Sequence, residues 1–129
     1  MATDRVSEYA RIALAGVRLA NGAAALFATR FLIERLEVDP RSQGAAFYAF
    51  RLFGVRTVLI GLELLLPSAD NHRGALRRGL LIHASDTAAA AITGLGGHLP
   101  RRAAITTTAI SLGNTLLAAL ALATWQDPD

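Results

Sequence analysis

The stretch AAITTTAISLGNTLLAALALATW, residues 103–125, carries no charged side chain, and Asn114 is its one strongly polar group. An uncharged run longer than the ~18 residues that mark a membrane-spanning helix constrains the chain more than any other feature. Trp125 closes the run where an interfacial aromatic belongs. Hydroxyls at Thr106 to Thr108 can bond back to carbonyls one turn earlier, so the threonines are compatible with a helix.

Three further apolar stretches match it, giving approximate spans 12–33, 47–66, 79–97 and 103–125 in one domain of 129 residues. At ~1.5 Å per residue, about twenty residues cross the ~30 Å hydrocarbon core. The breaks between them have recognisable chemistry: Asp39-Pro40, then Pro67 to Asn71, then Gly96-Gly97, with Pro100 placed as the first residue of the last helix. RFLIERLEV, residues 30–38, mixes charges with Phe31, Leu32, Ile33 and Leu36 and reads as an interfacial extension, with Arg30 and Glu34 one turn apart. The expected fold is therefore all-α, an integral membrane antiparallel four-helix bundle with both termini on the same side of the membrane. Arginines divide evenly between the two faces, five and five, so the positive-inside rule does not orient it. A soluble all-α bundle is the alternative fold.

Composition agrees. Hydrophobic residues make up 53% and mean hydropathy is +0.38, with the surplus in Ala and Leu and eleven Gly, the small residues that let helix backbones approach in a membrane. All thirteen basic residues are Arg, raising the pI to about 10.5, yet they are scattered and lack interleaved aromatics, which argues against nucleic acid as a partner. Absence of Cys excludes disulfides, thiolate metal sites and thiol catalysis. Met1 to Arg11 reads as mature sequence and not as a signal peptide. The partners expected are the lipid bilayer and a second copy or larger membrane complex.

Charged groups inside the apolar stretches need a reason, since a central Arg or Asp costs about 2.5–3.5 kcal/mol on insertion scales. Counting ~1.5 Å per residue from the terminal side puts Arg18 about 9 Å deep, Asp86 about 10 Å, Arg56 about 16 Å, and Glu63 and His83 about 6 Å. Arg18, Arg56, Glu63, His83 and Asp86 thus form one candidate polar cluster whose formal charges cancel, with Asp86 expected between the two arginines. It serves either to hold the bundle together or as a solute or proton pathway or a membrane enzyme site. A metal set of His83, Asp86 and Glu63 is disfavoured by the adjacent arginines, and His72 and His98 are expected in solvated loops. No cofactor, metal or catalytic residue is expected, and no nucleophile elbow, P-loop, dinucleotide fingerprint, EF-hand or HExxH occurs.

Gly54 and Gly61 share one face of their helix, while Arg56 and Glu63, spaced alike, share nearly the opposite one, so this helix has neighbours on both sides. Gly22, Gly54, Gly61 and Gly113, the last beside Ala109, are the candidate helix-packing positions.

Arg18-x-x-x-Gly22, the run Arg51-Leu52-Phe53-Gly54-Val55-Arg56 followed by Gly61, and Asp86 together resemble small bacterial four-helix membrane proteins of a domain-of-unknown-function group that is loosely DoxX-like. The likeness covers nearly the whole chain. It implies a four-span protein of the bacterial cytoplasmic membrane and no established reaction; the broader DoxX-like class suggests a redox-associated accessory subunit. With no Cys and no pair of histidines within the spans, electron transfer through this chain is not expected. The function expected is that of a structural or accessory membrane subunit, not an enzyme.

Overall fold

The computed structural model describes residues 2–36, 43–66 and 69–126, excluding the side chains of 2, 43–45 and 69–71. These residues form five α-helices and no strand: α1 Ala2–Phe27, α2 Thr29–Arg35, α3 Gln43–Leu65, α4 Ala69–Leu95 and α5 Arg101–Ala123. The expected break at Asp39-Pro40 lies outside the described residues, as does Pro67.

The helices differ from the expected spans in ways that have local causes. α1 begins ten residues before Ile12, because the charges at Asp4, Arg5, Glu8 and Arg11 stay on its exposed or half-buried surface while Ser7 and Ala10 turn inward. The first span is interrupted at Ala28 (φ −114°, ψ 29°), and the Thr29 hydroxyl donates back to the Ala25 carbonyl, an arrangement that bends helices. α4 starts at Ala69, so Asn71 and His72 belong to its first turns and not to a loop.

Helix ends follow capping rules. At the end of α4 the His98 N–H donates to the Thr93 carbonyl (3.1 Å) and the Gly97 N–H to Gly94 (3.1 Å), a Schellman motif closed by Gly97 at φ +73°. Pro100 is the cap of α5, one position before the expected first turn; its carbonyl accepts from the Ala104 N–H at 2.9 Å.

The first turns of α1 meet the last turns of α5 and α3. Ser7 Oγ donates to the Ala121 carbonyl (2.8 Å), Gln126 Nε2 to Thr3 Oγ1 (2.5 Å), and Arg11 to the Leu64 carbonyl. Around these contacts lies an apolar core from four helices, with Leu14, Leu64, Leu76 and Ala118 fully buried and Trp125 packed on its edge. α1 packs on α3 and on α5, and α4 packs along α5; α3 and α4, although consecutive, touch sparsely.

Candidate functional site

One turn beyond the apolar core the interior becomes polar. Arg18 on α1 and His83 on α4 are 2% and 1% exposed, among the most deeply buried large side chains described. Arg18 Nε–H donates to His83 Nε2 at 2.7 Å, and its NH2 lies 2.8 Å from Nδ1 of the same ring. A neutral imidazole has a single acceptor nitrogen, so only one of the two contacts is a hydrogen bond at a time, and the tautomer selects it. The Thr87 hydroxyl, next turn on α4, donates to the His83 carbonyl (2.7 Å) and lies 3.1 Å from Thr115 Oγ1 of α5.

Asp86 is on the same helix but turned toward α3, where Arg56 NH2 reaches its two oxygens at 3.2 and 3.5 Å. The pair is half-open, the side chains being 50% exposed for Arg56 and 29% for Asp86. Two turns along the same line Glu63 of α3 pairs with Arg78 of α4. Both ion pairs thus bridge two consecutive long helices that touch sparsely.

The expected single cluster therefore divides in two. Asp86 neutralises Arg56, while Arg18 is held by His83; hydrogen bonding of Asp86 to Arg18 is absent among the described contacts, although the carboxylate is close enough to act on Arg18 electrostatically. Glu63 leaves the central layer altogether because Arg78, expected outside the helices, lies within α4. No group of three or more His, Asp or Glu is gathered among the described residues, so Glu63, His83 and Asp86 do not form a metal set there.

The glycines also divide. Gly22 and Gly54 bring α1 and α3 into backbone contact: a Cβ on Gly22 would lie 3.0 Å from the Gly54 carbonyl oxygen, and a Cβ on Gly54 3.0 Å from that of Gly22. Gly61 faces Leu19 and the Ala15 carbonyl of α1, with the Leu19 Cγ at 3.0 Å. Gly113 requires correction. It lies on an exposed face of α5, and a Cβ there would meet nothing within 4 Å.

Comparison with protein-family models, curated proteins and solved structures returns no match. The site must be read from its own chemistry.

Two features escaped the sequence. His72, expected in solvent, is 9% exposed; its ring contacts the Leu66 carbonyl and stands edge-on to Trp125 with centroids 6.3 Å apart. Beyond the Arg18–His83 layer, toward α2, lies a cavity of about 420 Å³ bordered by all five helices. Asn21, three residues past Arg18 on the pattern Arg-x-x-Asn, was the available signal for a polar group at its inner end.

Proposed function

We propose that this chain is an integral membrane protein in which α1, α3, α4 and α5 cross the bacterial cytoplasmic membrane as an antiparallel four-helix bundle, with both termini on one side and α2 at the opposite interface. In this reading it is a structural or accessory subunit, assembled with a second copy or a larger membrane complex, with no catalysis of its own. The resemblance to DoxX-like proteins belongs to the same proposal and rests on the sequence pattern of Arg18, Gly22, Arg51 to Arg56, Gly61 and Asp86.

The observation that carries it is large apolar side chains left on the outside while charged and polar ones share the interior with the apolar core. Leu95 is 90% exposed, Phe27 88%, Leu81 70% and Ile92 69%, whereas the buried set includes Arg18, His83, Thr57 and Asn114. Water penalises exposed apolar surface by about 25 cal/mol per Å², and a soluble monomer rarely shows contiguous apolar patches beyond a few hundred Å²; a lipid exterior removes the penalty.

α1 and α5 are long and apolar enough to cross a membrane by length and composition, and in its apolar window α5 is only 17% buried, unlike the core helix of a soluble bundle. α3 and α4 carry more charge. Arg56 and Glu63 of α3 pair with Asp86 and Arg78 of α4, as the cost of ionised groups in lipid favours.

The test is fractionation combined with terminal reporters. The protein should remain with membranes through carbonate extraction, and reporters at the two termini should give the same compartment. Recovery as a folded, detergent-free soluble species would overturn the reading in favour of a soluble helical bundle; reporters in opposite compartments would remove one span.

A further inference from the structure

The cavity beyond the polar layer has an asymmetric wall. Leu32 of α2 and Phe50 and Phe53 of α3 make most of its surface apolar, while Asn21, Asp86 and Ser111 supply polar atoms from α1, α4 and α5. Asn21 and Ser111 make no side-chain hydrogen bond to any described residue, whereas the hydroxyl of Thr107, which also lines the cavity, donates to the Ala103 carbonyl. Unspent hydrogen-bonding groups in an otherwise apolar pocket are the pattern by which proteins orient a small amphipathic ligand.

Charge narrows the class. Among the described residues that line the cavity Asp86 is the one charged group, and its counter-ion Arg56 is already in place at 3.2 Å. An anionic head would face the carboxylate, and a cationic head would compete with Arg56. A hydroxyl can donate to Asp86 or to the Asn21 carbonyl and accept from Asn21 Nδ2 or Ser111 without altering the balance. At the ~30 Å³ that a water molecule occupies, 420 Å³ holds roughly fourteen methylene-sized groups.

We propose that this cavity binds a neutral single-chain amphiphile, with a hydroxyl-bearing end at Asn21, Asp86 and Ser111 and a chain of about a dozen carbons against Phe50, Phe53 and Leu32. The proposal rests on the membrane reading for its source of ligand, since a bilayer concentrates such molecules beside the helices.

The experiment uses the full chain in phospholipid nanodiscs, titrated with 1-dodecanol, dodecanoate or dodecylammonium while the thermal unfolding midpoint is followed by circular dichroism. Dodecanol should raise the midpoint saturably, and the two charged chains should not. Asn21→Leu should shift half-saturation about tenfold, the worth of one hydrogen bond of ordinary net strength. Ala89→Leu should abolish the response while leaving the unliganded midpoint near the native one, because Ala89 lines the cavity from an exposed position and its added carbons enter empty space. Equal shifts from all three chains, or an unchanged dodecanol response in Ala89→Leu, would overturn the proposal and indicate nonspecific filling by lipid chains. Fractionation decides the membrane reading before any ligand is added; were the chain soluble, the same titration in buffer would test the cavity by itself.

Discussion

Where α3 meets α1, Gly54 and Gly61 leave room for backbone to lie on backbone, and a Cβ at Gly54 would come within 2.7 Å of Leu26. Where α3 meets α4, the helices stand apart and two ion pairs, Arg56 with Asp86 and Glu63 with Arg78, span the gap. One helix thus uses two chemistries on opposite faces, each repeated at a spacing of seven residues. Close packing suits a seam that stays fixed in lipid, where dispersion and backbone approach replace the hydrophobic drive. A seam held by charges depends on its surroundings: a half-exposed pair contributes ~0–1 kcal/mol in water, but breaking a poorly solvated pair costs about 3–5 kcal/mol.

The largest effect should therefore come from Asp86→Ala. With Arg56 left uncompensated in lipid or detergent, the loss should be about 3–5 kcal/mol, and the Arg56→Ala, Asp86→Ala double variant should recover much of it. Unfolding of the three variants in micelles by denaturant titration measures this. A double variant no better than the worse single one would remove the pairing from the account, and a stable Asp86→Asn with altered proton or solute flux would turn the seam into a pathway.

On the glycine seam, Gly54→Ala should cost about 1–3 kcal/mol, since its Cβ meets the Gly22 carbonyl oxygen at 3.0 Å and backbone does not yield as a side chain does. Micelle unfolding with retained helicity is the measurement, and a neutral substitution would mean that the two backbones are farther apart than described.

How far these seams could be read from sequence follows from helical geometry. Positions 54 and 61 against 56 and 63 fix two faces of α3 from spacing alone, and charge type distinguishes them. The rotation of each neighbouring helix is not encoded in spacing, so depth and charge point Asp86 at Arg18, whereas the partner of Arg18 is His83. Glu63 departs from the expected cluster for a related reason. Arg73, Arg77 and Arg78 read as a polar connection, yet α4 runs through them and presents Arg78 to α3. Likewise, Gly113 sits in a small-residue spacing that an Ala-rich chain produces by chance, and nothing packs there. The cavity was illegible because it is defined by what five helices fail to fill.

Smaller effects sharpen the contrast. Glu63→Gln, two residues before the end of α3 at Leu65, should cost under ~1 kcal/mol because Arg78, 58% exposed, can reach the interface. A loss as large as that of Asp86→Ala would place both pairs at equal depth. Gly113→Ala, on an open helix surface, should stabilise by roughly 0.5–1 kcal/mol through helix propensity, in the opposite direction from Gly54→Ala.

The central claim is that the exposed apolar surface faces lipid, and the absence of Cys makes it directly measurable by single-cysteine accessibility. Leu81→Cys, Ile92→Cys and Leu116→Cys, all exposed positions within α4 and α5, would be compared with His98→Cys in the turn between those helices. In native membranes opened to reagent on both sides, a water-soluble maleimide should label position 98 rapidly and leave position 116 unreacted until the membrane is dissolved and the chain unfolded. Labelling of position 116 as fast as position 98 in intact membranes would show that this surface faces water, contradicting the account.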